Sequence, residues 1–170
     1  MRLKPIIPGT HTHLSDAEET IVKSRGRVPL LYQVLMNSPD MALGWEKLLT
    51  AVRQKNSLPA SLREIIILRV AVLNGAEYEF EAHKPIALEL GVTEAKVMGI
   101  RQQPFPRIYD NLEDLALRAT DSITREIHVS DDLYVELQAV FTDQQILDLT
   151  ITVGAYNMVS RVLTALKIGH

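Results

Sequence analysis

The sequence contains no cysteine. That one absence removes disulfides, thiolate metal sites, thiol peroxidase chemistry and cysteine nucleophiles together. A disulfide-free domain agrees with a cytoplasmic setting, which is the location expected. Long apolar runs are missing as well. The longest is interrupted by Arg69 and Asn74, too early for a membrane span, and the opening MRLKPIIPGTHTHLSD lacks the apolar stretch of a signal peptide. There is no excess of positive charge either. The formal net charge is -3, whereas a nucleic-acid partner selects a clustered basic surface. The densest basic stretch, Lys23 to Arg27, reads as a solvated helix end. No glycine-rich phosphate loop, Ser-His-Asp arrangement or nucleotide motif occurs. The expectation is a soluble protein with neither a nucleic-acid nor a membrane partner.

What is present suits one globular domain. The 170 residues are 46% hydrophobic and 23% charged, enough to bury a core and too apolar for disorder. Residues 1–15, with Pro5, Pro8 and Gly9, read as an extended N-terminal arm, and residues 16–170 as a helical domain. Asp16 opens a short helix to about Lys23, Leu30 to Met36 is a second segment, and Met41 to Gln54 a third. Ser61 is expected to open a helix over 62–73, ended by Asn74-Gly75, and Ala76–Leu90 follows, closed by Gly91. Thr93 is an N-cap for 94–101, Pro104 and Pro106 set a loop, and 112–124 and 131–141 are helical. Thr142 with Gln145 forms a capping-box signature before a last helix to Lys167. The fold class is all-α. The helix from Ile65 to Leu73 has no polar face, and a helix dry on every side calls for partners all round, which points to oligomerisation.

The chemistry-bearing residues gather after that dry helix, in GAEYEFEAHKPIALELG. Glu79 and His83 are four apart, so on a helix they project from one face within reach of each other. An imidazole and a carboxylate on a partly apolar face form a general acid or base, or else an ordinary surface ion pair. Glu64 allows two readings: the closing acid of a Ser61-x-x-Glu64 capping box, or a carboxylate at the core boundary of an otherwise dry helix. Tyr78 is either a phenolic donor to a substrate or a core aromatic with its hydroxyl at the edge. On the last helix Thr150, Asn157, Ser160, Arg161 and Thr164 form a polar stripe. Arg161 there needs a protein carboxylate, a backbone carbonyl or an anionic ligand, so Asn157 and Arg161 enter as candidate binding residues. His11-Thr-His13 is short of the three or four ligands of a metal site, and no metal is assigned.

Taken in order, these residues resemble the carboxymuconolactone decarboxylase family, which belongs with the alkyl hydroperoxidase D-like all-helical proteins. RGRVPLLYQVLMNSPDMALGWEKL is similar to the family's opening helices, SLREIIILRVAVLNGAEYEFEAHKPIALELGVTEAKV to its core motif, and LTITVGAYNMVSRVLTALKI to its closing helix. In the peroxidase branch the core motif runs glutamate, Cys-x-x-Cys, then histidine four residues on. Glu64 and His83 stand at the spacing of that glutamate and histidine, while Ala76 and Glu79 occupy the two cysteine positions. The resemblance therefore implies the cysteine-free branch and excludes thiol-dependent peroxide reduction. It also implies a small all-α subunit, assembly into trimers or hexamers, and no cofactor. The activity implied is decarboxylation, or a related lyase or isomerase reaction, on a small carboxylated lactone or enol. His83 would transfer the proton, Glu64 or Glu79 would set its tautomer, Tyr78 would donate to the carbonyl, and Arg161 would hold a substrate carboxylate. The alternative is a non-catalytic oligomer that binds a small anionic metabolite on the same scaffold.

Overall fold

A computed structural model describes residues 1–169, and among these every regular element is helical. After a 3-10 turn at Thr12–Leu14 come α1 (Ser15–Arg25), α2 (Leu30–Leu35), α3 (Pro39–Gln54), α4 (Ala60–Leu73) and α5 (Glu77–Glu89). They are followed by α6 (Glu94–Gly99), α7 (Asn111–Glu126), α8 (Asp131–Gln138) and α9 (Asp143–Leu166). The all-α reading of the sequence is thus the observed class.

Most helix ends follow from local chemistry. The Thr93 side chain accepts from the Lys96 N–H at 3.3 Å. Thr142 and Gln145 form the expected reciprocal box, with the Gln145 N–H donating to Thr142 Oγ1 at 3.2 Å and the Thr142 N–H to Gln145 Oε1 at 3.0 Å. Gly75 and Gly91, after α4 and α5, adopt φ of 63° and 88°, a left-handed conformation that costs glycine nothing. Two starts differ from expectation. α3 begins at Pro39 rather than Met41, because a proline in the first turn gives up only an N–H that has no partner in the helix. α4 begins at Ala60 with Pro59 before it, and no side chain caps it. The Ser61–Glu64 capping box is therefore not formed, and Glu64 is free for another partner.

The chain forms two compact units. The first comprises Met1–Lys55 and the chain's end from Ala165. Its core joins Leu14, Ala17, Ile21, Val28, Tyr32, Met36 and Ala42, with Leu14 coming from the segment read as an extended arm. Glu46 of α3 is buried there. Burial opposes its charge, but hydrogen bonds from Ser24, Thr50 and Arg25 hold its carboxyl below the usual range. The Arg2 N–H donates to the Leu166 carbonyl at 2.8 Å, fastening the chain's two ends together.

The second unit, Asn56–Thr164, is organised around α4. From Glu64 through Ala71 every α4 residue is at most 2% exposed, and α5 and α7 pack along it. Ile65, Leu68, Phe80, Ala87, Val97, Ile100 and Leu117 form the centre of its core. A single chain thus covers the dry helix, and α4 itself no longer argues for oligomerisation. Arg69 lies inside this core. Its guanidinium donates twice to the Asp121 carboxylate of α7, at 2.5 and 2.7 Å, once to the Ile100 carbonyl at 2.6 Å and once to Gln103 at 2.7 Å. Its Cζ also sits 4.6 Å from the centroid of the Phe105 ring. The bidentate geometry and the extra acceptors satisfy a charge that would otherwise be costly to bury. Asp121→Asn strands that guanidinium and is expected to lower unfolding stability by roughly 3–5 kcal/mol, read by urea denaturation. A loss below about 1 kcal/mol would show the pair to be dispensable.

Candidate functional site

Helix α5 carries His83 and Glu79 one turn apart, and α4 and α9 supply what each of them touches. His83 Nδ1 lies 2.6 Å from Glu64 Oε2, with the two side chains 11% and 2% exposed. An ionised carboxylate can only accept, so against it Nδ1 carries the hydrogen and Nε2 keeps the lone pair. The imidazole meets the Tyr156 ring of α9 edge to face, with centroids 5.2 Å apart and planes at 87°. Its orientation is therefore set from two sides, by a carboxylate from α4 and an aromatic from α9.

Glu79 has a different environment. It is 2% exposed, and its Oε2 accepts from the Ser160 hydroxyl of α9 at 2.6 Å. Its Oε1 is buried with no hydrogen-bond partner. Burial pushes this carboxyl up to about 8, against the Ser160 hydrogen bond that pulls it down. At neutral pH Glu79 is accordingly protonated. A carboxyl raised in the folded state contributes stability that is complete below its unfolded value. That contribution is lost as pH rises through about 8.

The contacts Glu79–Ser160 and His83–Tyr156 form two rungs between the same pair of helices. Residue numbers rise by four along α5 and fall by four along α9, so the helices run antiparallel here. The sequence spacing correctly puts Glu79 and His83 on one face. The carboxylate bonded to the histidine, however, is Glu64 from 19 residues upstream, not Glu79. The reason is the location of Glu79: its nearest donor is Ser160, and its environment disfavours the charge that would attract an imidazole.

The remaining candidates lie elsewhere in their bonding. The Asn157 side chain accepts from Asn74 and donates to Thr124, both at 3.0 Å. Arg161 is exposed and donates to the carbonyl and side chain of Asn157, one turn earlier on its own helix. The acceptor that Arg161 requires is thus supplied by α9 itself. Tyr78 is half-buried beside Glu79 in sequence. The sequence reading missed Tyr156 altogether, and took Ser160 only as one member of a polar stripe. The available signal was their spacing of four, matching that of Glu79 and His83.

Comparisons with known proteins bear on the same segment. Residues 39–122 match the carboxymuconolactone decarboxylase family. An uncharacterised Bacillus subtilis protein, YdfG, is 25% identical over 115 residues, which span 66% of this chain and 78% of that protein. Among solved structures, an uncharacterised peroxidase-related protein from Silicibacter superposes with a TM-score of 0.82 at 18% identity, over 96% of this chain and 87% of the other. A variant of the debrominase Bmp8 in complex with 2,3,4-tribromopyrrole gives a TM-score of 0.80 at 18% identity, over 99% and 90% of the two chains. An alkylhydroperoxidase AhpD-core protein from Ralstonia eutropha gives 0.77 at 16% identity, over 93% and 85%. These structures share the fold. No helix of the described residues is long and apolar enough to cross a membrane. Glu64, Glu79 and His83 all lie inside residues 39–122, the span that matches the carboxymuconolactone decarboxylase family, in a cysteine-free chain with an alkyl hydroperoxidase D-like helical fold.

Proposed function

We propose that this protein is a cofactor-free proton-transfer enzyme, a decarboxylase or related lyase or isomerase acting on a small carboxylated lactone or enol. The observation that carries the proposal is the buried contact of 2.6 Å between Glu64 and His83 Nδ1. A carboxylate at one ring nitrogen fixes the tautomer, raises the basicity of the other nitrogen and stabilises the imidazolium that forms when it takes a proton.

The reaction balances with those groups alone. Breaking the bond between the substrate carbon and its carboxylate releases carbon dioxide. The electron pair passes into the conjugated lactone carbonyl as an enolate. His83, as imidazolium, delivers a proton from Nε2 to carbon, and solvent returns a proton to His83. The net change is replacement of the carboxylate by hydrogen. Glu64 holds the ring throughout and is the positioning residue. Tyr78, half-buried next to Glu79, is the proposed donor to the carbonyl oxygen on which charge develops. Asn157 and Arg161 receive no role, because Asn157 is bonded to Asn74, Thr124 and Arg161.

Assembly with further copies belongs to the same reading. Leu147 and Ile151, one turn apart on α9, are 58% and 41% exposed, an apolar strip of the kind that subunit contacts cover. Light scattering on the purified protein is expected to give a multiple of the 19.1 kDa chain mass, and Leu147→Glu to reduce it. A monomeric wild type would remove this part.

The chemistry is tested by carbon dioxide release from a panel of carboxylated lactones and β-keto acids. His83→Gln is expected to lower turnover by about 10²–10⁴-fold while secondary structure and assembly persist. Glu64→Gln, which keeps the size of the side chain, is expected to lower it less. Turnover unchanged in the His83 variant would take His83 out of the mechanism, and no carbon dioxide release from any compound of the panel would favour a binding protein for an anionic metabolite.

A further inference from the structure

Two carboxylates lie one contact apart in this site, and only Glu64 has a partner that favours its charge. Glu79 has no use in the proton transfer as written, although it is among the most deeply buried acids of the chain. Its geometry gives it another role. The Glu79–Ser160 contact at 2.6 Å and the His83–Tyr156 contact are successive rungs between α5 and α9. Whatever separates the first rung changes the approach of the two helices at the second.

We propose that the Glu79–Ser160 contact is a proton-dependent latch that holds Tyr156 against His83, which makes Glu79 and Ser160 positioning residues of the site. This inference rests on the proton-transfer reading for its effect on turnover, but not for the latch itself.

The physical basis is the contrast between two forms of one side chain. As a neutral carboxyl, Glu79 carries no charge to desolvate, and its Oε2 accepts from the Ser160 hydroxyl. As a carboxylate it has one donor on Oε2 and none on Oε1, inside a core, and an under-solvated buried charge drives its own exposure. Burial already raises this carboxyl to about 8. Among the described residues no charged neighbour offsets this. On its own helix His83 is committed to Glu64 of α4, and Lys84 pairs with Glu94 of α6. Arg101, which follows α6, pairs with Glu77 on the exposed side of α5. From α9 it meets a hydroxyl, and Arg161 is turned outward to Asn157. Proton loss therefore leaves Glu79 no stable closed arrangement, and opening toward water breaks the rung.

The test follows the imidazole directly. In protein labelled with ¹³C at histidine Cε1, the His83 resonance is identified by its loss in His83→Gln. Wild type is expected to show, besides the titration of the imidazole itself, a second step with a midpoint near pH 8. Glu79→Gln keeps the shape and an acceptor for Ser160 but cannot ionise, and is expected to abolish that step alone. Ser160→Ala removes the contact itself and is expected to diminish that step at His83. The Glu79 variant is also expected to melt at the wild-type temperature at pH 5 and above it at pH 9. On an active substrate, wild-type turnover is expected to fall at least tenfold further than that of Glu79→Gln between pH 7 and pH 9. Absence of the second step, its survival in Glu79→Gln, or an undiminished step in Ser160→Ala would overturn the latch, even if His83→Gln abolishes carbon dioxide release. A step that behaves as described, with no carbon dioxide release from any substrate, sustains the latch and removes the decarboxylase reading.

Discussion

Helix α4 can be buried all round only because each of its two charges is handed to a neighbouring helix. Eight consecutive residues from Glu64 to Ala71 have no access to water, and two of them, Glu64 and Arg69, are ionisable. Arg69 finds Asp121 on α7, and Glu64 finds His83 on α5. The apolar residues around them supply the driving force for burial. The charges decide which elements must lie alongside, because a buried charge without its partner costs more than any one apolar contact returns. The placement of α5 against α4 is thus also the placement of the histidine.

From that arrangement the site acquires two carboxylates in opposed conditions. Glu64 is held against an imidazole, which rewards a charge. Glu79, one turn from that imidazole, meets a serine hydroxyl and apolar surroundings, which penalise one. Burial without a charged partner is what raises the Glu79 carboxyl. Here the division follows from helix geometry: α5 presents both residues on one face, α4 reaches only the histidine, and α9 bridges both positions with Tyr156 and Ser160.

The fold is shared with a debrominase, an uncharacterised peroxidase-related protein and an alkylhydroperoxidase-core protein. A common scaffold under different chemistries is ordinary, since reactivity belongs to the side chains set upon it. In this chain alanine and glutamate stand at residues 76 and 79, and no sulfur nucleophile exists anywhere in the sequence. At this site the scaffold therefore presents oxygen and nitrogen acids and bases, with no thiol among them.

Local information in the sequence accounts for a large part of this. Periodicity identified an all-helical chain, and the punctuation at Asn74-Gly75, Gly91, Thr93 and Thr142 located helix ends, because capping and left-handed glycine are decided by neighbours within a few residues. The spacing of four between Glu79 and His83 placed them on one face for the same reason. Other features were not local. Ser61 and Glu64 had the letters of a capping box, yet Pro59 starts α4 and Glu64 turns to a histidine 19 residues away. A dry α4 implied partner subunits, but α5 and α7 of the same chain pack along it. The sequence alone determined the helices, the absent thiols and the acids and histidine available. Only tertiary packing decided which carboxylate meets the imidazole and which is kept neutral, because hydrogen-bond partners and desolvation depend on groups brought together from distant parts of the chain.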